Sequence, residues 1–503
     1  MVKETNKNPK KEQLNLLESF RRFQHQVFST TSAHGFHWII DAPALGEKIF
    51  WFILSISFFT VGIVLSVISI KGEIDNPKYT TALEIEEGDT VNGIPFPDFA
   101  ICDPNPFSLE KAQEANVSET LLAYLTNYVY VGVDTIENMT CRSDKLDAEF
   151  IDTLARFNND TIKLLDAVTK TCEDILIYCQ AGFNPYHTSD CCSKYFNQGE
   201  YTMDFKCYST RGKMNYTILY GNRMSGITII VDSERNKILF PQDLASWKTK
   251  KYSGIGVAVI PKKSSIFSAV QKGVKLLSPD SNNDVMITKS VMDRTAEKHG
   301  IFMRNKNGCV DEENEEFYMN LVSPYSEHYS ADQCFLYNKQ LSYNSDLNCT
   351  IPILPPPGIA KKNCTPLEYI KYYDPKYRDQ GRKTMTTTKC LTDCIVENFG
   401  LEISSSDITK EMIDMVETHT KMPNLTLVMF TIFVKGMDHS VLKFNGQSLN
   451  DLLSTVGGNL GLWFGGSIIT FIEVLICSLF FFYLMIGKVF GCQIYEGYPD
   501  GDR

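Results

Sequence analysis

Positive charge is scarce in this sequence, whose 503 residues include 49 lysines and arginines against 60 aspartates and glutamates. The formal net charge of -11 argues against a nucleic-acid-binding protein and is compatible with an acidic surface that attracts cations. Histidines are few as well, and because the 8 of them do not cluster, no histidine-based pH switch stands out.

Enzyme signatures are also missing. The sequence has no phosphate-binding P-loop, no HExxH zinc motif, no G-x-S-x-G nucleophile turn and no dinucleotide-binding fingerprint. It therefore offers no candidate set of catalytic residues and no cofactor motif. We expect a protein that is not an enzyme and uses no cofactor.

Apolar runs long enough to cross a bilayer occur at two places. The first, residues 49–70, has 22 residues without a charge between Lys48 and Lys71, and about 20 apolar residues suffice for a spanning helix. No signal-peptide pattern precedes it, and its basic leader favours a cytoplasmic start. The second run lies within residues 452–487 and is longer than a straight span requires.

Two spans place both termini on the cytoplasmic side of the membrane. A loop of the size between them can bury a large core of its own. The regions that we expect are a cytoplasmic N-terminus (1–48), the first transmembrane helix (49–70), an extracellular domain (71–451), a pre-pore segment with the second transmembrane helix (452–487) and a cytoplasmic tail (488–503).

Three small residues, Gly465-Gly466-Ser467, interrupt the second run, and one acid, Glu473, follows them. Glycines leave backbone carbonyls accessible, which lipid tolerates only where they are buried in protein or face a water-filled path. A ring of carbonyls from several subunits can replace an ion's hydration shell, whereas small residues also simply pack helices closely. Because an acid in a span is costly unless it faces a bundle interior or water, Glu473 favours a cation path.

Thirteen of the 15 cysteines lie between Cys102 and Cys394. The same region holds seven N-x-[ST] glycosylation sequons, at Asn116, Asn138, Asn159, Asn215, Asn348, Asn363 and Asn424. Together these features place the region on the oxidising side of a membrane. Without a CxxC pair or a histidine at ligand spacing, disulfides are expected rather than zinc. The odd count leaves one thiol over, for which the adjacent Cys191 and Cys192 are the obvious place.

Strand-like and helical patterns are mixed in this middle region. β-branched and aromatic residues predict strands at 226–231, 254–260 and 425–434, and helical patterns lie around 147–165 and 407–417. This order indicates an α+β domain.

Two acidic runs stand out, at residues 84–89 and 311–316. Such runs are usually solvated surface. Like charges also raise each other's pKa, however, which would suit a cation or proton site. The sequence leaves both interpretations open.

Four stretches follow one another in a telling order: His34-Gly35, residues 96–107 (FPDFAICDPNPF), residues 205–208 (FKCY) and residues 452–473 with their Gly-Gly-Ser break. They resemble, respectively, the His-Gly gating motif, the FPAVTIC-x-x-NPF box, the GKCYTF strand and the pre-pore with its G-x-S filter of the degenerin/epithelial sodium channel family. That family includes the acid-sensing and peptide-gated channels. The match extends over nearly the whole chain.

The resemblance implies an α+β membrane protein with two transmembrane helices flanking a large disulfide-rich ectodomain of palm, β-ball, finger, thumb and knuckle. It implies a homo- or heterotrimer of same-family subunits in the plasma membrane, permeable to sodium ions and blocked by amiloride-type drugs. Ser454 falls at the position where bulky side chains hold such channels open. The pore and filter residues that it implies are Ser454, Thr455, Gly458, Gly465, Gly466, Ser467 and Glu473.

Disulfide pairings are also implied by the resemblance. They are Cys102–Cys207, Cys309–Cys394, Cys334–Cys390, Cys349–Cys364, Cys179 with Cys191 or Cys192, and Cys141 with Cys172.

The sequence departs from the family pattern near the proposed pore. Thr455 stands where acid-sensing members usually carry Asp near the gate, and Ile476 replaces a second acid that many members carry after Glu473. These departures argue against proton gating more than against a channel.

We therefore expect a sodium-permeable, amiloride-sensitive cation channel subunit opened by an extracellular stimulus such as a proton, a peptide or another ligand. One alternative is a purinergic-type trimeric channel, which would need a lysine-rich phosphate pocket, and the nearest candidates are Lys248, Lys250 and Lys251. Another is a non-conducting two-span receptor or adhesion protein, in which the Gly-Gly-Ser break only packs helices.

Overall fold

The computed structural model describes residues 35–75, 79–129, 143–182, 190–233, 254–295, 309–312, 315–322, 328–354, 362–373, 390–446, 448–467, 469–470, 472–473, 475–476, 478–479 and 482. Several sequence predictions fall outside these residues: those for His34, Asn138, Cys141, the three lysines at 248–251 and the tail at 488–503.

Helices and strands are mixed along the described chain, which confirms the α+β expectation. The α-helices are α1 (Phe36–Asp41), α2 (Leu45–Asp75), α3 (Leu109–Glu114), α4 (Glu119–Leu125), α5 (Ser143–Arg156), α6 (Thr161–Val168), α7 (Cys172–Ile175), α8 (Cys191–Tyr195), α9 (Ile266–Gly273), α10 (Glu315–Tyr318), α11 (Ala331–Leu347), α12 (Pro366–Tyr373), α13 (Lys410–Thr420) and α14 (Leu449–Phe464). The strands are β1 (Tyr79–Glu86), β2 (Ile94–Pro95), β3 (Phe99–Asp103), β4 (Leu176–Ala181), β5 (Glu200–Thr202), β6 (Phe205–Ser209), β7 (Thr217–Ile218), β8 (Ile227–Asp232), β9 (Ile255–Val259), β10 (Lys275–Leu277), β11 (Ser281–Asp293), β12 (Ile395–Asp407), β13 (Leu427–Val434) and β14 (His439–Gly446).

Two compact units divide the chain. One contains α1, α2 and α14, and the other consists of Thr81–Lys298 and Asn305–Asn445. In the first unit, α2 has 31 residues and extends the predicted span 49–70 at both ends. By length and composition, α2 could cross a membrane, and it is the one such helix among the described residues. The segment of the expected second span is described only in part.

The second unit is organised by two sheets. The larger has the strand order β1-β14-β11-β13-β8-β4, with β12 paired to β11, and the smaller has the order β10-β9-β3-β6-β5. β11 and β12 pair antiparallel along their whole length, from Ser281 opposite Asp407 to Asp293 opposite Ile395. β11 also pairs in parallel with β13 and, further along, with β14. β11 is therefore the strand that connects most of the large sheet.

The largest core contains side chains from both sheets. Phe99 and Ile101 of β3 belong to the same buried cluster as Ile229 of β8 and Phe430 of β13, and all four are fully buried. A second core lies among the helices, where Tyr124, Leu164 and Tyr343 surround the Cys349–Cys364 disulfide. Strands β9 and β13 are buried along their whole length, and their continuous runs of β-branched and aromatic residues explain why they could be predicted.

The helices and strands of the structure agree with those predicted from the sequence, except in one region. The strands predicted at 226–231, 254–260 and 425–434 are present as β8, β9 and β13, and the helix at 407–417 is present as α13, three residues later. The helical region predicted around 147–165 is present as two helices, α5 and α6, with a turn between them. Asn158 and Asn159 adopt positive φ angles of 57° and 58°, and the Asp160 carboxylate caps the start of α6.

The described residues of the second unit form six disulfides: Cys102–Cys207, Cys172–Cys192, Cys179–Cys191, Cys309–Cys394, Cys334–Cys390 and Cys349–Cys364. Two expectations are wrong. Cys172 pairs with Cys192 rather than with Cys141, and the spare thiol is neither Cys191 nor Cys192. Adjacent side chains on a helix point about 100° apart, so the two neighbours on α8 reach different partners, one at the start of α7 and one on β4.

Candidate ion pathway

A reciprocal cap fixes the first turn of α14. The Ser448 hydroxyl oxygen accepts a hydrogen bond from the Asp451 backbone N–H at 3.2 Å, and the Asp451 carboxylate accepts one from the Ser448 backbone N–H at 2.9 Å. Caps of this kind contribute about 1 kcal/mol. The helix therefore begins at a defined residue, shortly after β14 ends at Gly446.

One face of α14 packs against α2. The Asn459 side-chain amide donates a hydrogen bond to the Ser69 hydroxyl at 3.3 Å, and the Trp463 ring centroid lies 6.0 Å from that of Phe58. A Cβ at Gly62 would lie 3.4 Å from the Trp463 Cβ, which is an ordinary contact distance, so the interface leaves little room there for a larger side chain. Asn459 and Trp463 are four residues apart and so lie on one side of the helix.

A neighbouring face of α14 is exposed in a single chain. Ser454, Thr455 and Gly458 are exposed, and the Leu462 side chain is 79 % exposed. Ser454, Gly458 and Leu462 follow at intervals of four residues, which keeps them on one side of the helix. Ser454 and Gly458 thus lie on an exposed row of α14, about 100° around the helix from the row of Asn459 and Trp463. The exposed Thr455 begins that second row, four residues before Asn459.

The helix ends at the predicted break. α14 stops at Phe464, and Gly465 adopts the left-handed conformation with a φ of +73° that favours glycine. The Gly465 N–H donates to the Gly461 carbonyl at 3.0 Å, and the Gly466 N–H donates to the Leu460 carbonyl at 3.1 Å. Gly465, Gly466 and Ser467 therefore lie outside regular helix.

The chain becomes helical again directly after the break. The Thr470 backbone N–H donates to the Ser467 hydroxyl at 3.2 Å, and the Ser467 backbone N–H donates to the Thr470 hydroxyl at 3.1 Å. Residues 469–470, 472–473, 475–476 and 478–479 are helical. Ser467 is thus both the last residue of the break and the cap of the following helix.

The electrostatics of the break favour a cation. The last carbonyl groups of a helix have no partners within the helix, and the helix dipole makes this end negative. Glu473 is half-buried on the following helical stretch, six residues after Ser467, which corresponds to about 9 Å along a helix axis. Its carboxylate adds negative charge on the C-terminal side of the break.

Gly35 marks the start of α1 and contacts α2 closely. Its φ of +88° is in the left-handed region, and a Cβ at this position would lie 2.5 Å from the Ser55 hydroxyl. Both facts favour glycine. The rings of Trp38 and Trp51 stack with centroids 5.9 Å apart, which holds α1 beside α2.

The acidic runs form ion pairs in the second unit. In the first run, Glu84 contacts the Lys443 ammonium at 2.6 Å and Glu86 lies 3.5 Å from His439. The Glu84 hydrogen bond raises the pKa of Lys443. In the second run, Glu315 lies 3.6 Å from the Lys263 ammonium. These pairs favour the solvated-surface interpretation of the first run, whereas the Glu315 side chain of the second run is only 17 % exposed and also accepts a hydrogen bond from the Tyr329 backbone N–H.

One carboxyl group in the second unit is less well solvated than these. Burial raises the pKa of Asp393, which nearby Asp332 raises further and Lys263 lowers. The Asp393 carboxylate accepts a hydrogen bond from the Ala331 backbone N–H at 3.2 Å, at the start of α11.

The glycosylation sequons lie on the surface of the second unit. Asn138 is outside the described residues, and the other six asparagines are exposed: Asn116, Asn159, Asn215, Asn348, Asn363 and Asn424.

Sequence reasoning missed the residues that join α2 and α14. Asn459, Ser69 and Gly62 were not singled out, and neither was Thr470 in the cap after the break. A signal for this contact was available. Each of two otherwise apolar runs contains a polar side chain, the Ser69 hydroxyl or the Asn459 amide, and polar groups in such runs need partners.

Comparison with known proteins gives one clear result. A family model described as amiloride-sensitive sodium channel matches residues 27–477, which is most of the chain. No curated protein matches the chain. The matched range includes α1, α2, α14 and the break, so the candidate pathway lies inside it.

Proposed function

The chain belongs to the amiloride-sensitive sodium channel family, which is the degenerin/epithelial sodium channel family, and on this premise we propose that α14 and the break after it line a sodium-permeable pore. The protein is a sodium channel subunit of that type, in a family of ion channels rather than of enzymes. The observation that carries the proposal is the two-sided character of α14. One face packs on α2, while a neighbouring face is exposed and carries Ser454 and Gly458.

The break is the proposed selectivity filter. A bare sodium ion must replace its hydration shell with oxygen atoms, which backbone carbonyls can supply. Gly465 and Gly466 present no side chain that would cover their carbonyls, and the Ser467 hydroxyl adds another oxygen. The helix end and Glu473 provide the negative potential.

Assembly with further subunits of the same family is part of the proposal. One chain contributes one exposed α14 face, and a closed pore wall needs several such faces around an axis. The family resemblance implies three chains, in a homo- or heterotrimer. The subunit would be a multi-pass protein of the plasma membrane with both termini in the cytoplasm.

The extracellular placement of residues 71–451 is supported by chemistry. Six disulfides and six exposed sequon asparagines lie in this region, and both features belong to the oxidising side of a membrane. A stimulus that acts there, such as a proton, a peptide or another ligand, would shift this domain between two packings and so open the pore.

Whole-cell recording of the full chain expressed alone tests the proposal. In sodium solution we expect an inward current that amiloride reduces, and steps of external pH would separate proton gating from other stimuli. The Ser454→Trp variant is recorded in parallel because a bulky residue at this position should open the pore without a stimulus. A surface-expressed protein that carries no current in either form would contradict the proposed pore.

A further inference from the structure

Three glycosylation sequons meet around one disulfide of the second unit. The Cys349–Cys364 bond joins the middle residues of two of them, Asn348-Cys349-Thr350 and Asn363-Cys364-Thr365. The Asn363 side-chain amide donates to the Thr161 hydroxyl at 3.5 Å, and Thr161 is the last residue of the sequon Asn159-Asp160-Thr161.

The folded chain exposes the acceptor asparagines and buries the hydroxyls that complete their sequons. Asn348 and Asn363 are exposed, whereas Thr350 is 0 % exposed and Thr365 is 5 % exposed. A glycosylating enzyme recognises the asparagine together with the hydroxyl two residues later. In the folded state, neither of these sequons presents both groups.

The backbone around the disulfide is also paired. The Thr350 N–H donates to the Lys362 carbonyl at 3.0 Å, and the Cys364 N–H donates to the Thr350 carbonyl at 2.8 Å. Thr350 and Asn363 form a parallel β-bridge. Because the Cys349–Cys364 bond holds these two short segments side by side, neither can be drawn out separately into an enzyme cleft.

We propose that the Cys349–Cys364 disulfide controls N-glycosylation at Asn348 and Asn363, which can be modified only before this bond closes. The proposal rests on the extracellular placement of residues 71–451 argued above. The two cysteines are 15 residues apart, and the short loop favours early closure because the entropic cost of closing a loop rises with its length.

The two reactions are chemically independent. Glycosylation transfers an oligosaccharide from a lipid-linked pyrophosphate donor to the asparagine Nδ2. The sugar C1–O bond to the pyrophosphate breaks, the C1–N bond forms, and the amide proton leaves with the lipid pyrophosphate. Disulfide closure removes two protons and two electrons from the two thiols, and a protein disulfide accepts them and becomes a dithiol. The order of the two events therefore depends on their rates.

The cysteine positions allow a test that leaves each measured sequon unchanged. Cys364→Ser removes the disulfide but keeps Asn348-Cys349-Thr350, so occupancy is measured at Asn348. Cys349→Ser keeps Asn363-Cys364-Thr365, so occupancy is measured at Asn363. Both variants are expressed as full chains in cultured animal cells, and glycan occupancy is measured by mass spectrometry of the glycopeptides.

Two sequons elsewhere serve as internal references. Asn215 and Thr217 are both exposed, so the Asn215 sequon should be glycosylated in every variant. Thr161 is 0 % exposed, but no cysteine lies inside its sequon, so occupancy at Asn159 should not respond to the disulfide. If burial during folding alone decided occupancy, Asn159 would change together with Asn348 and Asn363.

We expect partial occupancy at Asn348 and Asn363 in the natural chain and a several-fold rise at the measured site in each cysteine variant. The double variant Cys334→Ser/Cys390→Ser, which removes the neighbouring disulfide without leaving a free thiol from that pair, should not produce this rise. Because glycans are attached before folding is complete, the measurement remains valid in variants that fold poorly.

Three results would overturn the proposal. Full occupancy of both sites in the natural chain would show that closure does not restrict them. Unchanged occupancy in both single variants would show the same. An equal rise in the Cys334→Ser/Cys390→Ser variant would assign the effect to delayed folding in general. Absence of a glycan at Asn215 would instead contradict the extracellular placement on which the proposal rests, and the proposal would fall with it.

Discussion

Gly35 tolerates substitution least among the described residues near the start of the first unit. An alanine there must adopt a left-handed backbone, which costs about 1–2 kcal/mol, and its Cβ would lie 2.5 Å from the Ser55 hydroxyl. We expect Gly35→Ala to reduce whole-cell current per channel at the cell surface, because α1 can no longer lie in its place beside α2.

Gly46 provides the matched control for this change. It lies within α2, and a Cβ there would meet nothing within 4 Å, so Gly46→Ala should conduct normally. Adding Ser55→Ala to Gly35→Ala removes the clash but not the backbone strain and should restore part of the current. Normal current from Gly35→Ala alone would refute this account of the His-Gly motif.

The size of the side chain at position 454 should decide whether the channel is open or closed at rest. Ser454 lies on the exposed face of α14, and we expect Ser454→Trp to raise the resting sodium current because a bulky ring prevents neighbouring faces from closing together. Ser454→Ala has no such bulk and should rest closed. Equal resting currents from these two variants at equal surface expression would count against a gate at this position.

At the scale of residues, the sequence predicted where the Gly-Gly-Ser break lies better than it predicted which side chains contact one another. The Gly-Gly-Ser break could be located because three small residues interrupt an apolar run. The pairing of Cys191 with Cys179 and of Cys192 with Cys172 could not be derived, because cysteine spacing does not report which helix face each thiol occupies. The Asn459–Ser69 hydrogen bond was missed for a similar reason, since it joins residues far apart in sequence.

Among the elements, the contact between α2 and α14 leaves room for little more than a methyl group at position 62. A Cβ at Gly62 would lie 3.4 Å from the Trp463 Cβ and 3.7 Å from the Asn459 carbonyl. A leucine there must push the helices apart, at a cost of about 1–3 kcal/mol for an overpacked contact. We expect Gly62→Leu to lower both surface expression and current.

Gly72 allows the same substitution to be made where no neighbour is present. It also lies in α2, and a Cβ there would meet nothing within 4 Å. Gly72→Leu should therefore be expressed and conduct like the natural chain. If both leucine variants behave alike, close approach at Gly62 is not needed for assembly.

The elements themselves could largely be predicted. Strands β8, β9 and β13 follow from runs of β-branched and aromatic residues, and α2 follows from an uncharged apolar run. The division of residues 147–165 into α5 and α6 could not be predicted from the same pattern, because periodicity continues across a turn when both helices face one core. The asparagine pair at 158–159 was the local signal for that turn.

For the whole molecule, Asp393 should make stability depend on pH. Burial holds its pKa above the usual value of about 3.9, so the protonated form favours the folded state. Its contribution to stability is complete below about pH 4 and is lost as pH rises through the raised pKa. Asp393→Asn mimics the neutral form and keeps an oxygen for the Ala331 N–H.

We therefore expect Asp393→Asn to unfold at a temperature a few degrees higher than the natural chain at pH 7. The difference should shrink as the pH falls towards 4. Thermal unfolding of the purified full chain in detergent between pH 4 and pH 8 measures this. Asp414→Asn, at an exposed position on α13, is the control and should show no such trend. A constant difference at every pH would mean that the effect is not electrostatic.

In the chain, α2 and α14 are each connected to one of two neighbouring strands of the large sheet. α2 ends at Asp75 and β1 begins at Tyr79, while β14 ends at Gly446 and α14 begins at Leu449. β1 and β14 are adjacent in the sheet, and Lys443 joins them through Glu84. A movement that separates β1 from β14 must therefore break the ion pair between Lys443 and Glu84.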